Sequence, residues 1–135
     1  MKRVGPAVLF FVFICWAIVQ ADQGQDNVFF DAVRTLPYGD KLGHALLFGV
    51  LAFLINHALH GRSVRVVRWD IQLGALLVLL FALGEELTQL YFPHRTFDLT
   101  DLLADVIGVF GFTLLYLTYY QHGERKSEAK AKARR

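Results

Sequence analysis

Four long apolar runs, separated by short polar segments, set the pattern of this 135-residue chain. The runs cover residues 5–20, 42–59, 71–92 and 102–120. A spanning helix needs about 20 mainly apolar residues, with an accepted range of about 17–25. The last three runs meet that length, and the first falls just short of it. The pattern therefore predicts an all-α polytopic membrane protein, built as a bundle of four transmembrane helices.

The first run has a second interpretation, as a cleaved signal peptide covering residues 1–21. Lys2 and Arg3 would form its basic start, residues 7–19 its apolar core, and Ala21 the small residue at its cleavage site. Bulky aromatic side chains favour a retained helix instead, namely Phe10, Phe11, Phe13 and Trp16. Both interpretations bring the chain to the same side of the membrane before the second run, so the topology of the other three helices does not depend on the choice.

Basic residues are distributed unevenly between the segments that flank the runs. Eleven of the fourteen Lys and Arg residues lie in the N-terminal start, the 60–70 loop and the tail after Gln121. The other two loops carry six aspartates and only three basic residues, namely Arg34, Lys41 and Arg95. Because basic residues accumulate in cytoplasmic loops, we predict a multi-pass membrane protein with both termini in the cytoplasm. Residues 1–122 would form the membrane domain and residues 123–135 a charged cytoplasmic tail.

The first outward loop shows helical periodicity over residues 27–36. Phe29, Val33 and Leu36 fall on one face of a helix. We predict a short amphipathic helix that lies on the outer surface of the membrane, with a partly ordered loop as the alternative. Pro37 ends the segment.

Composition supports a membrane protein and excludes other classes. Hydrophobic residues make up 55% of the chain, and the mean hydropathy is +0.39, far from an average soluble domain. The single cysteine, Cys15, excludes a disulfide or a thiolate metal site within one chain. The basic tail follows a spanning helix and lacks interleaved aromatic residues, so it does not indicate nucleic-acid binding.

Ionisable and polar groups are unusually dense around the junction of the third and fourth runs. They are Glu85, Glu86, Gln89, His94, Arg95, Asp98, Asp101 and Asp105. A charge inside hydrocarbon costs about 2.5–3.5 kcal/mol on insertion scales, so such groups usually face one another or a wet cavity. We therefore expect these residues to serve a function.

Topology predicts that polar residues from three helices meet in the outer leaflet. The second helix starts outside with Asp40, Lys41 and His44, which lie within about 100° of one another around the helix. The third helix ends outside, and the fourth begins there. The predicted binding site therefore consists of Asp40, Lys41, His44, Glu86, Gln89, Arg95, Asp101 and Asp105. Asp98 is expected to cap the fourth helix or to join the site.

Two further features concern the spans themselves. Asn56, His57 and His60 lie at the opposite end of the second helix, and we interpret the two histidines as interfacial residues. Small residues recur at helical spacing in the pairs Ala45/Gly49, Ala104/Gly108 and Gly108/Gly111. They predict close contact between helices of the bundle, with a dimer seam as the alternative.

The same residues carry a family resemblance over residues 40–111. The segments DKLGHALLF and ELTQLYFPHRTFDLTDLLADVIGVFG resemble the VanZ-like family of small bacterial membrane proteins. The family's pattern corresponds to Asp40, Lys41, His44, Phe48, Glu86, Gln89, Arg95, Asp101, Gly108 and Gly111. Asp105 stands where the family commonly has Asn, which adds a titratable group, and His94 stands where it commonly has Gly. The resemblance implies a cell-envelope protein of the bacterial inner membrane, from a family whose founding member is associated with low-level teicoplanin resistance.

The favoured function is binding of an anionic lipid headgroup or a lipid-linked envelope precursor, in a role resembling glycopeptide resistance. Arg95 and Lys41 would hold a phosphate or carboxylate, with Arg95 facing an open pocket. An activated nucleophile is not needed for binding, and the hydroxyls near the site lack triad-like partners. Arg95→Ala should then leave stability nearly unchanged.

Two alternatives use the same residues. A membrane-embedded hydrolase or transferase acting on such a lipid would have His44, Glu86 and Asp101 as candidate catalytic residues. A structural role would make the charges an ion network that only fixes the register of the helices. A proton relay is disfavoured, because the inner halves of the spans carry almost no charge.

We predict no cofactor and no metal site. Zinc on His44, Glu86 and Asp101, or Mg²⁺ on the two acids, would have suitable ligand types, but no His-x-x-x-His or cysteine pair supports them. The expected partners are membrane lipid and a lipid-linked precursor or glycopeptide-related ligand, without nucleic acid. Homo-oligomerisation is left open.

Overall fold

A mostly helical chain is seen in the computed structural model, which describes residues 3–24, 35–92 and 95–133. The helices are α1 (Val4–Asp22), α2 (Gly39–Ala58), α3 (Leu73–Thr88) and α4 (Leu99–Ala133). Strands β1 (Ser63–Val66) and β2 (Trp69–Gln72) join α2 to α3, and a 3₁₀ turn (Gln89–Tyr91) follows α3. All four helices are long and apolar enough to cross a membrane. This confirms the predicted membrane fold with four spans.

The predicted amphipathic helix over residues 27–36 falls almost wholly in residues 25–34, which lie outside the described residues. Thr35 and Leu36 belong to a turn that leads into α2. The Gly39 amide donates to the Leu36 carbonyl at 2.9 Å, and Tyr38 adopts a left-handed conformation with φ 58°. The chain therefore enters the second span through a tight turn.

The connection between α2 and α3 is an antiparallel β-hairpin, which the apolar pattern did not predict. Ser63 pairs with Gln72 and Val66 with Trp69, so two residues form the turn. The pairing extends into the apolar run that was expected to be helical from residue 71, and α3 begins two residues later. A hydrogen bond of 2.8 Å from the Leu73 amide to the Arg62 carbonyl closes the base of the hairpin.

The core of the bundle is apolar and takes side chains from all four helices. Ile14 of α1, Phe48 and Leu51 of α2, Val78 of α3 and Val109 of α4 belong to one buried cluster. Many other large apolar side chains are exposed on the outside of the bundle, as expected of a surface that faces lipid. Ile14 therefore packs α1 against the other three helices.

Helices α2 and α4 pack most closely, at the small residues that the sequence singled out. A Cβ atom on Gly108 would collide with the backbone carbonyl of Ala45. A Cβ atom on Gly49 would lie 2.9 Å from the Gly108 carbonyl oxygen. Only glycine allows this approach, because the obstacle is backbone that cannot rotate away. The prediction that these small residues serve packing within the bundle is confirmed for Gly49 and Gly108.

Contacts between distant residues show which helix ends lie together. Arg3 at the start of α1 donates to His60 at the end of α2, with 3.2 Å between Nη1 and Nδ1. Lys41 at the start of α2 reaches Asp98 just before α4. We call the first side of the bundle the hairpin end and the second the cluster end.

Candidate functional site

A network of polar side chains from α2, α3, α4 and the segment before α4 occupies the cluster end. We call it the polar cluster, and its members are Asp40, Lys41, His44, Glu85, Glu86, Gln89, Arg95, Asp98, Asp101 and Asp105. All eight residues of the predicted site belong to it. Glu85 and Asp98 join it in addition, and both are contact points between helices. His94 lies outside the described residues.

Lys41 ties the start of α2 to the start of α4. Its ammonium lies 2.7 Å from Asp101 Oδ1 and 3.1 Å from Asp98 Oδ2. Asp40, its neighbour along the chain, is 3.9 Å away. The side chains of Lys41 and Asp40 are 32% and 70% exposed, whereas that of Asp101 is only 9% exposed. This part of the polar cluster is therefore its open rim.

His44 lies one turn deeper and pairs with Asp105. The distance from Nδ1 to Asp105 Oδ1 is 3.1 Å, and Nε2 lies 4.0 Å from Asp101 Oδ2. The ring stacks on Phe48 at 5.9 Å between centroids. The Nδ1 atom of His44 can donate to Asp105, and Nε2 faces the carboxyl group of Asp101. The sequence had placed His44 beside Asp40, and the structure gives it Asp105 as its hydrogen-bond partner.

Asp105 is completely buried, and only one of its oxygens is satisfied. Its Oδ1 meets His44, while Oδ2 has no hydrogen-bond partner. This is the position where the resemblance implies asparagine. An asparagine would place a neutral amide, with an N–H₂ donor, where this chain has a carboxyl group. This chain therefore differs from the family pattern at a fully buried position of its site.

Side-chain hydrogen bonds link Gln89 to both glutamates at the end of α3, Glu85 and Glu86. The Gln89 amide donates to both oxygens of Glu85, at 3.0 and 3.1 Å, and to Glu86 Oε2 at 3.0 Å. The other oxygen of Glu86 accepts the backbone N–H of Asp98 at 2.7 Å. The side chains of Glu85 and Glu86 in α3 and of Gln89 in the following 3₁₀ turn are all buried. Glu86 therefore fixes the segment that leads into α4, rather than pointing into open space.

Arg95 forms an ion pair with Glu85, which changes the expectation for this residue. Its Nη2 lies 3.1 Å from Glu85 Oε1, and the two side chains are 18% and 3% exposed. The sequence had favoured an Arg95 that faces an open pocket. The structure supplies a protein carboxylate from α3 instead, so the nearly unchanged stability expected of Arg95→Ala is no longer the predicted outcome.

Asp98 caps α4 and also joins the polar cluster, so both of the roles expected for it are observed. Its Oδ1 accepts the Thr100 amide at 2.8 Å and the Thr100 hydroxyl at 2.7 Å, as an N-cap residue does. The two hydrogen bonds from Thr100, followed by the ammonium of Lys41, lower the pKa of Asp98 from 3.8 to about 2. Asp98 is therefore a fixed negative charge at the rim.

Carboxylates outnumber basic groups in the polar cluster. Six acids face three bases, Lys41, His44 and Arg95. Each base is already in contact with at least one carboxylate. An anion that entered the site would therefore have to share or displace a carboxyl group, whereas a cationic group would meet further carboxyl oxygens.

One part of the polar cluster has the donor set of a cation site. A carboxylate oxygen from Asp40, another from Asp101 and a ring nitrogen of His44 lie within 4.8 Å of one another. Glu86, which the sequence considered for zinc or Mg²⁺, does not belong to this group. The Lys41 ammonium already binds Asp101, so a metal ion would compete with it for the same carboxylate.

The hairpin end holds a buried polar residue to which the sequence gave no role. Asn56 is fully buried, and its Nδ2 donates to Thr113 Oγ1 at 3.3 Å. Its Oδ1 has no hydrogen-bond partner. A Cβ atom on Gly74 would collide with this side chain. Asn56 therefore lies on a face of α2 that points into the bundle at this level.

Four apolar helices with a polar cluster between their ends define a multi-pass membrane protein of the helical class. A family model described as VanZ/LLP1 matches residues 7–120, which include every described residue of the polar cluster and most of α1. The chain belongs to the VanZ/LLP1 family. No curated protein and no solved structure matches it.

Proposed function

We propose that the polar cluster binds the headgroup of a membrane lipid or a lipid-linked envelope precursor. The observation that carries this proposal is its graded exposure. Glu86, Gln89 and Asp105 close the bottom, while Asp40 and Lys41 stay accessible at the rim. A network that served only to hold helices together would gain little from exposed charges, because exposed ion pairs contribute little stability. The exposed charges of Asp40 and Lys41 therefore favour a binding role.

The proposed ligand carries a phosphate, and the charges at the rim favour a neighbouring ammonium. Lys41 is the accessible base and would take the phosphate by exchanging part of its contact with Asp98. Asp40 is its exposed neighbour at 3.9 Å and would face the ammonium. This narrows the anionic headgroup expected from the sequence to one in which both charges are present, such as an aminophospholipid or an amino-bearing precursor.

The proposal includes an orientation. The cluster end would face outward and both termini the cytoplasm, since the basic residues are concentrated at the hairpin end and in the tail. The ligand would then come from the outer leaflet, where envelope precursors and glycopeptides meet. A role resembling glycopeptide resistance fits this placement.

Hydrolysis of the same lipid is the second candidate, and one observation favours it. Asp105 orients His44 through Nδ1, which leaves Nε2 toward the rim side of the site near Asp101. A carboxylate-held imidazole is the arrangement of a general base. Among the described residues, the nearby hydroxyls of Thr88 and Thr100 are engaged in local hydrogen bonds, so the nucleophile would be water.

Native mass spectrometry of the protein extracted in mild detergent tests the binding proposal. The wild type should retain a phosphate-bearing lipid that survives activation, and Asp40→Asn with Lys41→Gln should release it. Lys41→Arg, which keeps the charge, should retain it. Thr96→Ala, an exposed change beside Arg95, serves as the control and should behave as wild type.

The same sample separates binding from turnover. Incubation with the lipid found in the wild type should leave its mass unchanged if the site only binds. A product lipid that appears with wild type but not with His44→Gln would establish the hydrolase instead. Equal lipid retention by the wild type and the double variant would reject the polar cluster as the binding site.

A further inference from the structure

The hairpin between α2 and α3 has one apolar face and one polar face. Residues directly opposite each other on paired strands project to the same side. The register pairs Val64 with Ile71 and Val66 with Trp69, so these four form the apolar face. The pairs Ser63/Gln72 and Arg65/Asp70 form the polar face. Four residues a strand with strict alternation make this a complete amphipathic element.

The outer half of the apolar face is bare. Val64 and Ile71 are half-buried, whereas Val66 and Trp69 are 41% and 67% exposed, and Val67 in the adjoining turn is 91% exposed. Val67 also has φ 58°, a conformation in which a β-branched residue is a genuine outlier. The hairpin therefore keeps an exposed valine, Val67, in its turn although this backbone conformation is unfavourable for valine.

The hairpin has little freedom to leave the membrane surface. It follows α2 after Arg62 and runs directly into α3, and the hydrogen bond between Leu73 and Arg62 closes its base. Four residues at about 3.3 Å each give a reach of about 13 Å. That length fits within the headgroup and upper acyl region beside two spanning helices.

Charge on the hairpin matches an anionic membrane surface. Arg62, Arg65 and Arg68 face a single acid, Asp70, which is engaged by Arg65 through two hydrogen bonds of 3.1 and 3.2 Å. Arg62 and Arg68 are exposed on either side of the strands. A tryptophan beside arginines is the composition of an interfacial membrane anchor.

We propose that this hairpin is a lipid-binding element: its apolar face lies in the acyl boundary of the leaflet at the hairpin end, and Arg62 and Arg68 bind anionic phospholipid headgroups. The occupant of the bare face is therefore lipid, not a second protein. The proposal does not depend on what the polar cluster binds, because the two surfaces lie at opposite ends of the bundle.

The chain contains only two tryptophans, Trp16 and Trp69, which makes a direct test available. The full-length Trp16→Phe variant in lipid nanodiscs reports on Trp69 alone. Phosphatidylcholine or phosphatidylglycerol brominated near the top of the acyl chain should quench its fluorescence, with the phosphatidylglycerol more effective at equal mole fraction. The reciprocal Trp69→Phe variant reports on Trp16 in a spanning helix, and its quenching should show no comparable headgroup preference.

Charge variants in the same background make the test specific. Arg68→Gln and Arg62→Gln should each lower the preference for phosphatidylglycerol, by up to about fivefold for one arginine at an anionic surface. Asp70→Asn should raise it, since it releases Arg65. Opposite signs from changes on one small hairpin would not arise from loss of folding.

Three results would overturn the proposal. Quenching of Trp69 by aqueous iodide and not by brominated lipid would show that the hairpin stands in water. Protection from both quenchers would show a protein partner or a second copy on the apolar face. Equal quenching by both brominated lipids, unchanged in the Arg62, Arg68 and Asp70 variants, would show that the hairpin does not bind anionic headgroups.

Discussion

The two ends of the bundle accommodate polarity in opposite ways. At the cluster end, buried carboxylates are matched across helices by Lys41, His44 and Arg95. At the hairpin end the amide of Asn56 is fully buried, and packing there is aromatic, with Tyr116 against Phe53 at 5.8 Å. The arginines at that end remain exposed.

The difference separates two uses of charge in a membrane protein. Outside the hydrocarbon a charge needs no protein partner, and the ion pair between Arg65 and Asp70, exposed at 73% and 58%, contributes little. Within a span, each charge depends on its neighbour, so removing one member exposes the full desolvation cost of the other. The cluster end is therefore expected to be sensitive to single substitutions, and the hairpin end tolerant of them.

Loss of Arg95 should give the largest effect. Arg95→Ala leaves the buried carboxylate of Glu85 without its cation and should lower the free energy of unfolding by about 3–5 kcal/mol. Neutralising that acid with Glu85→Gln should restore much of the loss. Denaturant titration of the purified protein in detergent measures both variants and their combination.

Asp101→Asn is the matched control for this rescue. Asp101 belongs to the polar cluster but is bound by Lys41, so its neutralisation should not rescue Arg95→Ala. Rescue by Asp101→Asn and not by Glu85→Gln would contradict the observed pairing. An Arg95→Ala protein with wild-type stability would restore the open-pocket interpretation of this residue.

Glycine substitutions along α4 should separate the two sides of that helix. Gly108→Ala drives a Cβ atom into the Ala45 carbonyl, and such overpacking typically costs about 1–3 kcal/mol. Because Ala45 follows His44, the same shift should weaken the contact between His44 and Asp105. Gly111→Ala has nothing within 4 Å and should be neutral or gain up to about 1 kcal/mol from helix propensity. Equal stabilities in thermal unfolding would argue against a close crossing at Gly108.

Apolar replacement of one fully buried polar residue at each end compares the ends directly. Asn56→Leu removes one hydrogen bond of 3.3 Å and an oxygen that is already unpaired, so stability should change by no more than about 1 kcal/mol. Glu86→Leu removes the acceptor of the Asp98 N–H and one acceptor of the Gln89 amide, which keeps its hydrogen bonds to Glu85, so it should cost about 1–3 kcal/mol. A larger loss of stability from Asn56→Leu than from Glu86→Leu would contradict the expectation that the cluster end is the more sensitive one.

Acid should produce the smallest effect, through Asp98. The pKa of Asp98 is about 2 in the folded protein, below its ordinary 3.8, so its contribution is complete above about pH 4 and is lost as pH falls toward 2. Thr100→Ala removes one of the hydrogen bonds that lower the pKa and should move this loss to higher pH. Unfolding curves recorded between these pH values would show the shift. If Thr100→Ala left the loss of stability in acid unchanged, the role of Thr100 in lowering the pKa of Asp98 would be contradicted.

The sequence predicted the spans well, because length and hydropathy decide them almost without reference to neighbours. It missed the hairpin for a local reason. Residues 63–66 and 69–72 alternate polar and apolar side chains, which is a strand signal, but they adjoin an apolar run and have no glycine or asparagine at the turn. Val67 takes the left-handed position instead.

The members of the polar cluster could be predicted, and their partners could not. Topology alone brings the start of α2, the end of α3 and the start of α4 together at one end of the bundle, whatever the crossing angles. Whether Arg95 meets Glu85 or Asp98 depends on displacements of a few ångströms in the segment before α4, and helical periodicity carries no such information. The chain position of Asp98, just before a helix, was a readable sign of a cap.

In the proposed orientation, the polar cluster faces outward and the basic hairpin faces the cytoplasm. Single cysteines at Thr35, Ser63 and Thr96, in a Cys15→Ala background, test it in intact cells with a membrane-impermeant maleimide. Positions 35 and 96 should be labelled from outside, and position 63 only after the cells are permeabilised. Labelling of position 63 in intact cells, with positions 35 and 96 protected, would contradict the account.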